Sequence, residues 1–248
     1  MMAHLTMPLM FRPRGRSGET DASATPISRL GDEQRRLAHF AAALLLDYPG
    51  EGFAERAETV ASLVDGLPEE ITAEFEAFLA HAAATGTAEL QRDYVATFDL
   101  KRKCCLYLSY FQAGDTRKRG TALVSFVETY RAAGWEFDAD ELPDYLPAVL
   151  EFSARSASPE ASQLIAAHRD GLEVLREALE RQSSPWAALV RAVCRSLPEL
   201  DDATRERYLA LVTDGPPAET VGLSFLGMPG AALTPFAPVG ASHEEARA

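Results

Sequence analysis

Apolar side chains recur at helical spacing along most of this chain, and this periodicity constrains the fold more than any other feature. The first stripe consists of Leu37, Phe40, Ala41, Leu44, Leu45 and Tyr48. Stripes of the same period cover residues 53–64, 71–82, 90–98, 122–130, 164–179 and 186–197. Strand-like alternation is nearly absent, and the connections carry glycine or proline. The pattern predicts an all-α fold, a single-domain bundle of roughly eight to ten helices.

Capping residues and prolines predict where several helices begin. Asp32 is placed to cap the first helix, because a carboxylate can accept the free amide hydrogens of the first turn. Asp115 or Thr116 is placed to cap the helix that follows it. The pair Ser158–Pro159 opens an apolar pattern that continues to Leu179, which predicts one long helix.

The chain divides into three segments by composition. Residues 1–28 lack helical periodicity and are predicted to be a disordered tail. Residues 29–214 contain every apolar stripe, including a last predicted helix from Asp202 to Thr213, and form the helical domain. Residues 215–248 are rich in glycine, proline and alanine and are predicted to be irregular.

Charge and cysteine usage narrow the function classes. The formal net charge is −13, which disfavours nucleic acid and anionic membranes and favours basic partners. There are three cysteines and no C-x-x-C motif, so the sequence does not indicate a disulfide scaffold. This cysteine usage favours a reducing, cytoplasmic location. No apolar run approaches the ~20 residues that a membrane span needs, so no membrane insertion is predicted.

Residues 99–120, DLKRKCCLYLSYFQAGDTRKRG, carry two basic clusters, 101–103 and 117–119, within this acidic chain. Adjacent cysteines diverge on a helix and the histidines lack ligand spacing, so no metal site is predicted. GDTRKRGT lacks the spacing of a phosphate loop, and no catalytic motif occurs. The sequence thus predicts neither cofactor nor enzymatic activity. Protein binding through helix faces is favoured, and a regulatory or nucleic-acid-binding role of the basic clusters is the alternative.

Two longer stretches carry a family resemblance: YVATFDLKRKCCLYLSYFQAGDTRKRGTALVSFVETYRAAG at 94–134 and ELPDYLPAVLEF at 141–152. They resemble the molybdenum cofactor assembly chaperone of respiratory nitrate reductase, also called its delta subunit. The resemblance implies a non-catalytic, all-α cytoplasmic chaperone. Such a protein binds the N-terminal segment of the apo catalytic, molybdenum-binding subunit and supports cofactor insertion. Molybdenum cofactor biosynthesis proteins stay open as further partners.

The resemblance also assigns candidate peptide-binding residues. Four match the family's acidic loop: Glu141, Pro143, Asp144 and Tyr145. Three match its basic turn: Asp115, Arg117 and Arg119. Four aromatic residues are expected to form groove walls: Tyr107, Tyr110, Phe111 and Phe126.

For each of these residues, a purely structural role is the alternative to peptide binding. Asp144 either receives a basic side chain of the partner or caps the helix that begins near Leu146. Each aromatic residue either lines a groove or packs in the core. Tyr145 stands where the family usually has histidine, and a tyrosine stays neutral at physiological pH. Arg117 and Arg119 are expected to contact the partner or to pair with the acidic loop, so we expect the basic turn to lie beside that loop.

Overall fold

The computed structural model describes residues 10–13 and 30–197, which form ten α-helices and two short strands. The helices are α1 (Asp32–Leu46), α2 (Phe53–Leu63), α3 (Glu69–Thr85), α4 (Thr87–Tyr94), α5 (Leu108–Ala113), α6 (Lys118–Ala132), α7 (Leu146–Arg155), α8 (Pro159–Ala166), α9 (Arg169–Glu180) and α10 (Trp186–Ser196). The strands are β1 (Phe11–Pro13) and β2 (Trp135–Phe137). The all-α prediction is confirmed. Contacts divide the chain into residues 1–218 and 219–248, and the described residues all belong to the first unit. The helix predicted at 202–213 and the segment 215–248 lie outside the described residues.

Helix α1 packs against α2, α7 and α10 and is therefore buried on several sides. Residues 41–46, three alanines followed by three leucines, are all fully buried. The small alanines let neighbouring helices approach closely, and the leucines fill the remaining space. Within residues 10–13 and 30–197, no helix has both the length and the sustained apolar sequence that a transmembrane span requires.

A buried histidine joins α1 to two of these neighbours. His39 Nδ1 lies 2.9 Å from Ser153 Oγ on α7, and His39 Nε2 lies 2.8 Å from Ser196 Oγ on α10. Burial, reinforced by the positive charge of Arg35, lowers the pKa of His39 to about 3. The imidazole is therefore neutral at neutral pH, and its two nitrogens satisfy hydroxyl groups that are otherwise enclosed by the core.

Two predicted helix caps were wrong. Helix α1 has Gly31 as its N-cap, and Asp32 lies in the first turn without capping it. The Asp32 carboxylate still lies near the positive end of the helix dipole, which is electrostatically favourable. Neither Asp115 nor Thr116 caps α6; the Thr116 hydroxyl donates instead to the carbonyl oxygen of Ala113, at 2.7 Å.

The long helix predicted from Pro159 to Leu179 is two helices, α8 and α9, separated at 167–168. At His168 the backbone leaves the helical region, with φ −107° and ψ 15°. Beyond the break, Gly171 lies so close to Phe111 on α5 that a Cβ atom at this position would come within 3.0 Å of that side chain. The break thus lets α9 approach α5. The apolar spacing along one helix could not predict this break, because the contact is with a different helix.

Strand β1 pairs antiparallel with β2, with Phe11 opposite Phe137. Phe11 is buried, and its ring contacts those of Tyr130, Phe137 and Phe152 at centroid distances of 4.7, 5.4 and 5.7 Å. The prediction of disorder for residues 1–28 is therefore wrong for residues 11–13. Burial of a large aromatic side chain compensates the entropy of ordering this short segment.

Candidate peptide-binding site

The loop between β2 and α7, residues 138–145, packs directly against the segment that precedes α5. Tyr107 and Tyr145 form an antiparallel backbone bridge, and the amide of Leu108 donates to the carbonyl oxygen of Asp144 at 3.0 Å. The structure therefore places the loop that carries four of the candidate residues beside the start of α5. We call residues 138–145 the acidic loop.

Asp144 is fully buried and holds α5 in place. Its Oδ2 accepts hydrogen bonds from the Ser109 amide at 3.2 Å and the Ser109 hydroxyl at 2.5 Å. Arg119 Nη2 lies 3.9 Å from the same oxygen. Asp144 thus caps α5 from a distant part of the chain, and the expectation that it caps its own helix, α7, was wrong. Because none of its surface reaches solvent, it does not face a partner in this conformation.

The three residues of the basic turn have different environments. Arg119 is largely buried: it pairs with Asp144, donates to Ser109 Oγ at 3.3 Å and lies over the ring of Tyr107 at 5.5 Å. Asp115 lies at the surface, 3.8 Å from Arg102. Arg117 is exposed at the start of α6. The predicted pairing of the turn with the acidic loop is therefore present through Arg119.

Most of the candidate groove aromatics belong to the core. Tyr110, Phe111 and Phe126 are buried, so in this structure they pack in the core, which is the alternative given for them, and their role as groove walls stays a prediction. Phe126 packs on His168, at a centroid distance of 4.9 Å. Tyr107 differs, because it is only half-buried and faces a pocket.

This pocket, which we call the acidic pocket, has a volume of about 240 Å³. Its lining consists of Asp47, Tyr48, Tyr94, Phe98, Asp99, Leu106, Tyr107, Glu141 and Tyr145. Three carboxylates converge here from three separate places: the end of α1, the turn after α4 and the acidic loop. Among the residues that the structure describes, Arg56 is the only cation that forms an ion pair with one of these three carboxylates, at 3.6 Å from Asp47. The pocket therefore suits a basic group of a ligand.

The hydroxyl groups of two tyrosines each donate to one of the pocket carboxylates, and a third tyrosine contacts one of these two tyrosines. Tyr145 donates to Asp47 Oδ1 at 3.2 Å and lies 3.0 Å from the Tyr94 hydroxyl. Tyr107 donates to Glu141 Oε1 at 3.0 Å. Burial raises the pKa of Tyr94, Tyr107 and Tyr145, so all three stay neutral and able to donate.

The side chain of Asp47 is only 20% exposed. Burial raises its pKa above the ordinary value of 3.8, while Arg56 and the hydrogen bond from Tyr145 oppose the rise. On acidification it therefore loses its charge at a higher pH than a solvated aspartate does. Attraction of a cation to this pocket should weaken correspondingly.

An apolar surface adjoins the acidic pocket and shares Tyr48 with it. A shallow depression of about 520 Å³ is lined by Tyr48, Ala88, Gln91, Arg92, Val95, Ala96 and Leu100. Three of its large side chains are unusually exposed: Tyr48 by 43%, Val95 by 38% and Leu100 by 75%. We call Tyr48, Val95 and Leu100 the apolar patch. Exposed apolar side chains that cluster beside charged groups are typical of protein-binding surfaces.

A π-helical turn, Val95–Asp99, creates this arrangement. Helical periodicity predicts Val95 on the inner face together with Phe98, but the wider turn buries Phe98 and leaves Val95 exposed. The same turn exposes Asp99 at the pocket. Tyr48 was likewise assigned to the inner stripe and is exposed, because α1 ends at Leu46.

Sequence reasoning missed Asp47 and Asp99. Asp47 had a detectable signal, because it directly follows the last turn of an apolar helix. A carboxylate at that end of a helix is opposed by the helix dipole, so its presence there suggests a role other than helix stability. For Asp99 we find no local signal.

Comparison with known proteins points to one family. A family model described as "Nitrate reductase delta subunit" matches residues 64–192. The nitrate reductase-like protein NarX of Mycobacterium tuberculosis is 37% identical over 156 residues, which are 62% of this chain and 23% of NarX. The probable nitrate reductase molybdenum cofactor assembly chaperone NarJ of Bacillus subtilis is 30% identical over 164 residues, 66% of this chain and 89% of that protein. NarJ of Escherichia coli is 28% identical over 148 residues, 58% of this chain and 63% of that protein. The matched region thus spans less than a quarter of NarX but most of the Bacillus chaperone.

Proposed function

Because the chain belongs to the nitrate reductase delta subunit family, we propose that it is a cytoplasmic assembly chaperone for nitrate reductase. Its relatives from Bacillus subtilis and Escherichia coli are named nitrate reductase molybdenum cofactor assembly chaperones, the first of them as probable. In this proposal the chain binds the N-terminal segment of the apo catalytic subunit. It holds that subunit in a state that can receive the molybdenum cofactor, and it performs no catalysis itself.

One observation carries this proposal: the acidic pocket and the apolar patch meet at Tyr48. A peptide helix presents apolar and basic side chains within one or two turns of each other. Such a helix can place a lysine or arginine near Asp47, Asp99 and Glu141 while its apolar side chains cover Val95 and Leu100. This is recognition of an amphipathic helix by a surface groove, with charge fixing its register.

Tyr145 is a fixed part of this pocket in the proposal. As a neutral hydroxyl donor it orients Asp47, and burial keeps it from ionising. A histidine at this position would titrate near neutral pH and could add positive charge to the pocket. With tyrosine at this position, the pH dependence of peptide binding is therefore determined by the carboxylates of the pocket.

Calorimetric titration tests the proposal. The ligand is a synthetic peptide with the N-terminal sequence of the nitrate reductase catalytic subunit from the same organism. We expect saturable one-to-one binding, and no binding of a scrambled peptide. Asp99→Asn and Leu100→Ser should each weaken binding about fivefold to tenfold, close to 1 kcal/mol, because both side chains are exposed and contribute to complementarity rather than to folding.

Asp140→Asn is the matched control, because Asp140 is exposed in the same acidic loop but does not line the pocket. It should bind the peptide as the unmodified protein does. Equal affinity of the Asp99, Leu100 and Asp140 variants would reject this site while leaving the chaperone function open. Absence of any binding across pH and salt would reject the proposed client segment.

The basic clusters do not favour the alternative of nucleic-acid binding. Arg102 pairs with Asp115, and Arg119 is largely buried against Asp144. Lys101 is hydrogen-bonded to Gln182. Three of the six cations in the two clusters are thus engaged within the protein, whereas a nucleic-acid surface needs several cations directed at phosphates.

A further inference from the structure

Strand β1 occupies a groove made by other parts of the chain. The Met10 amide donates to Glu151 Oε2 at 3.2 Å, and the Asp138 amide donates to the Met10 carbonyl oxygen at 2.9 Å. Arg155 donates to the Phe11 carbonyl oxygen at 3.1 Å. Like the ring contacts of Phe11, these interactions are with residues from 130 to 155, so they come from α6, β2, the first residue of the acidic loop and α7.

The groove has the features of a peptide-binding site. Its edge is the side of β2 that pairs with β1, which offers backbone hydrogen bonds to an extended segment. Its floor is a pocket of aromatic rings that encloses Phe11. At one end lies the buried carboxylate of Glu151, which Arg155 Nη1 contacts at 2.6 Å. At the other end, Asp138 pairs with Arg12 at 2.8 Å.

The strand pairing itself contributes little to holding the occupying segment. Strand β1 has three residues, and a two-stranded sheet of this length is marginal in water. The Arg12–Asp138 pair is solvent-exposed and adds little stability. Eighteen residues, 14–31, lie between β1 and α1 in the sequence, a chain length that allows β1 to leave the groove while α1 keeps its place.

We propose that this groove is a second protein-binding surface, which takes an extended segment of a partner that carries a large aromatic residue followed by a basic one. Residues 10–13 occupy it as an exchangeable strand within the same chain. The aromatic side chain fills the place of Phe11, and the basic side chain pairs with Asp138. This surface is separate from the acidic pocket, and the inference does not depend on the proposed client.

The probe is a fluorescent peptide with the sequence of residues 8–15, titrated into the full chain by fluorescence polarisation. The strand within the chain competes at an effective concentration of roughly millimolar, so the unmodified chain should bind the probe poorly. The full chain with Phe11→Ala lacks the anchor of its own strand. It should bind the probe about tenfold more tightly or better. A probe with Phe11→Ala is the control and should not bind either chain.

The proposal is overturned if the Phe11→Ala chain keeps its helical circular dichroism yet shows no saturable binding, or if both chains bind the probe equally. A second measurement needs no variant. In native-state hydrogen exchange, the Asp138 amide should exchange at least about a hundredfold faster than amides of α1, because opening of β1 leaves the core folded. Exchange of both at the same slow rate would show that β1 leaves only on global unfolding, which also overturns the proposal.

Discussion

At the scale of single residues, Asp144 shows how burial separates a structural role from a binding role. Replacing it with alanine removes the cap of Ser109 and the partner of the largely buried Arg119. We expect Asp144→Ala to lower the free energy of unfolding by about 2 kcal/mol, because a charged hydrogen-bonding group is lost from the interior. Urea denaturation measures this, with Asp140→Ala as the exposed control. Unchanged stability together with lost peptide binding would contradict this role and restore Asp144 as a direct contact.

His39 makes a second prediction at the same scale. Its pKa is about 3 in the folded protein and near 6.5 when unfolded, so the unfolded chain binds more protons between these values. The contribution of His39 to the free energy of unfolding therefore rises with pH across that window, by about 1.4 kcal/mol per pH unit. This contribution is lost on acidification. Denaturation at about pH 5 and about pH 7 should show a smaller difference for His39→Gln than for the unmodified protein. An identical difference would place the acid sensitivity elsewhere.

At the scale of elements, two glycines at the third position of their helices make a matched pair. A Cβ at Gly171 of α9 would lie 3.0 Å from Phe111 of α5, whereas a Cβ at Gly120 of α6 would meet no atom within 4 Å. Gly120→Ala should stabilise the protein by about 0.5–1 kcal/mol through helix propensity. Gly171→Ala gains the same propensity but overpacks the contact, and we expect a net loss of about 1 kcal/mol. Thermal or urea unfolding of the two variants gives the comparison, and equal shifts would disprove the close approach of α9 and α5.

The elements also show which features periodicity can predict. Seven apolar stripes predicted an all-α chain, because one buried face per helix is a property of neighbouring residues. The break between α8 and α9 and the π-helical turn at 95–99 were not predicted. Both respond to contacts made across the fold, and in each case the apolar spacing along the chain continues undisturbed.

At the scale of the whole molecule, the formal net charge of −13 should control how fast a basic peptide arrives. Raising the salt concentration from 0.1 M to 1 M shortens the screening length from about 10 Å to about 3 Å. We expect the association rate to fall about tenfold or more, with little change in the dissociation rate, because burial of the apolar patch is not screened. Stopped-flow fluorescence separates the two rates. A salt effect confined to dissociation would show that charge acts only in the bound complex.

The sequence by itself determined the helical class, the acidic surface and the family, because apolar period, charge count and contiguous motifs are all local or additive properties. Only the tertiary structure decided what each candidate residue does. It buried Asp144, Phe111 and Phe126, left Tyr107 and Glu141 facing a pocket, and brought Asp47 and Asp99 to the same place. Which carboxylates converge depends on how α1, the turn after α4 and the acidic loop pack together. That packing joins residues some fifty to a hundred positions apart, so no pattern within one helix could specify it.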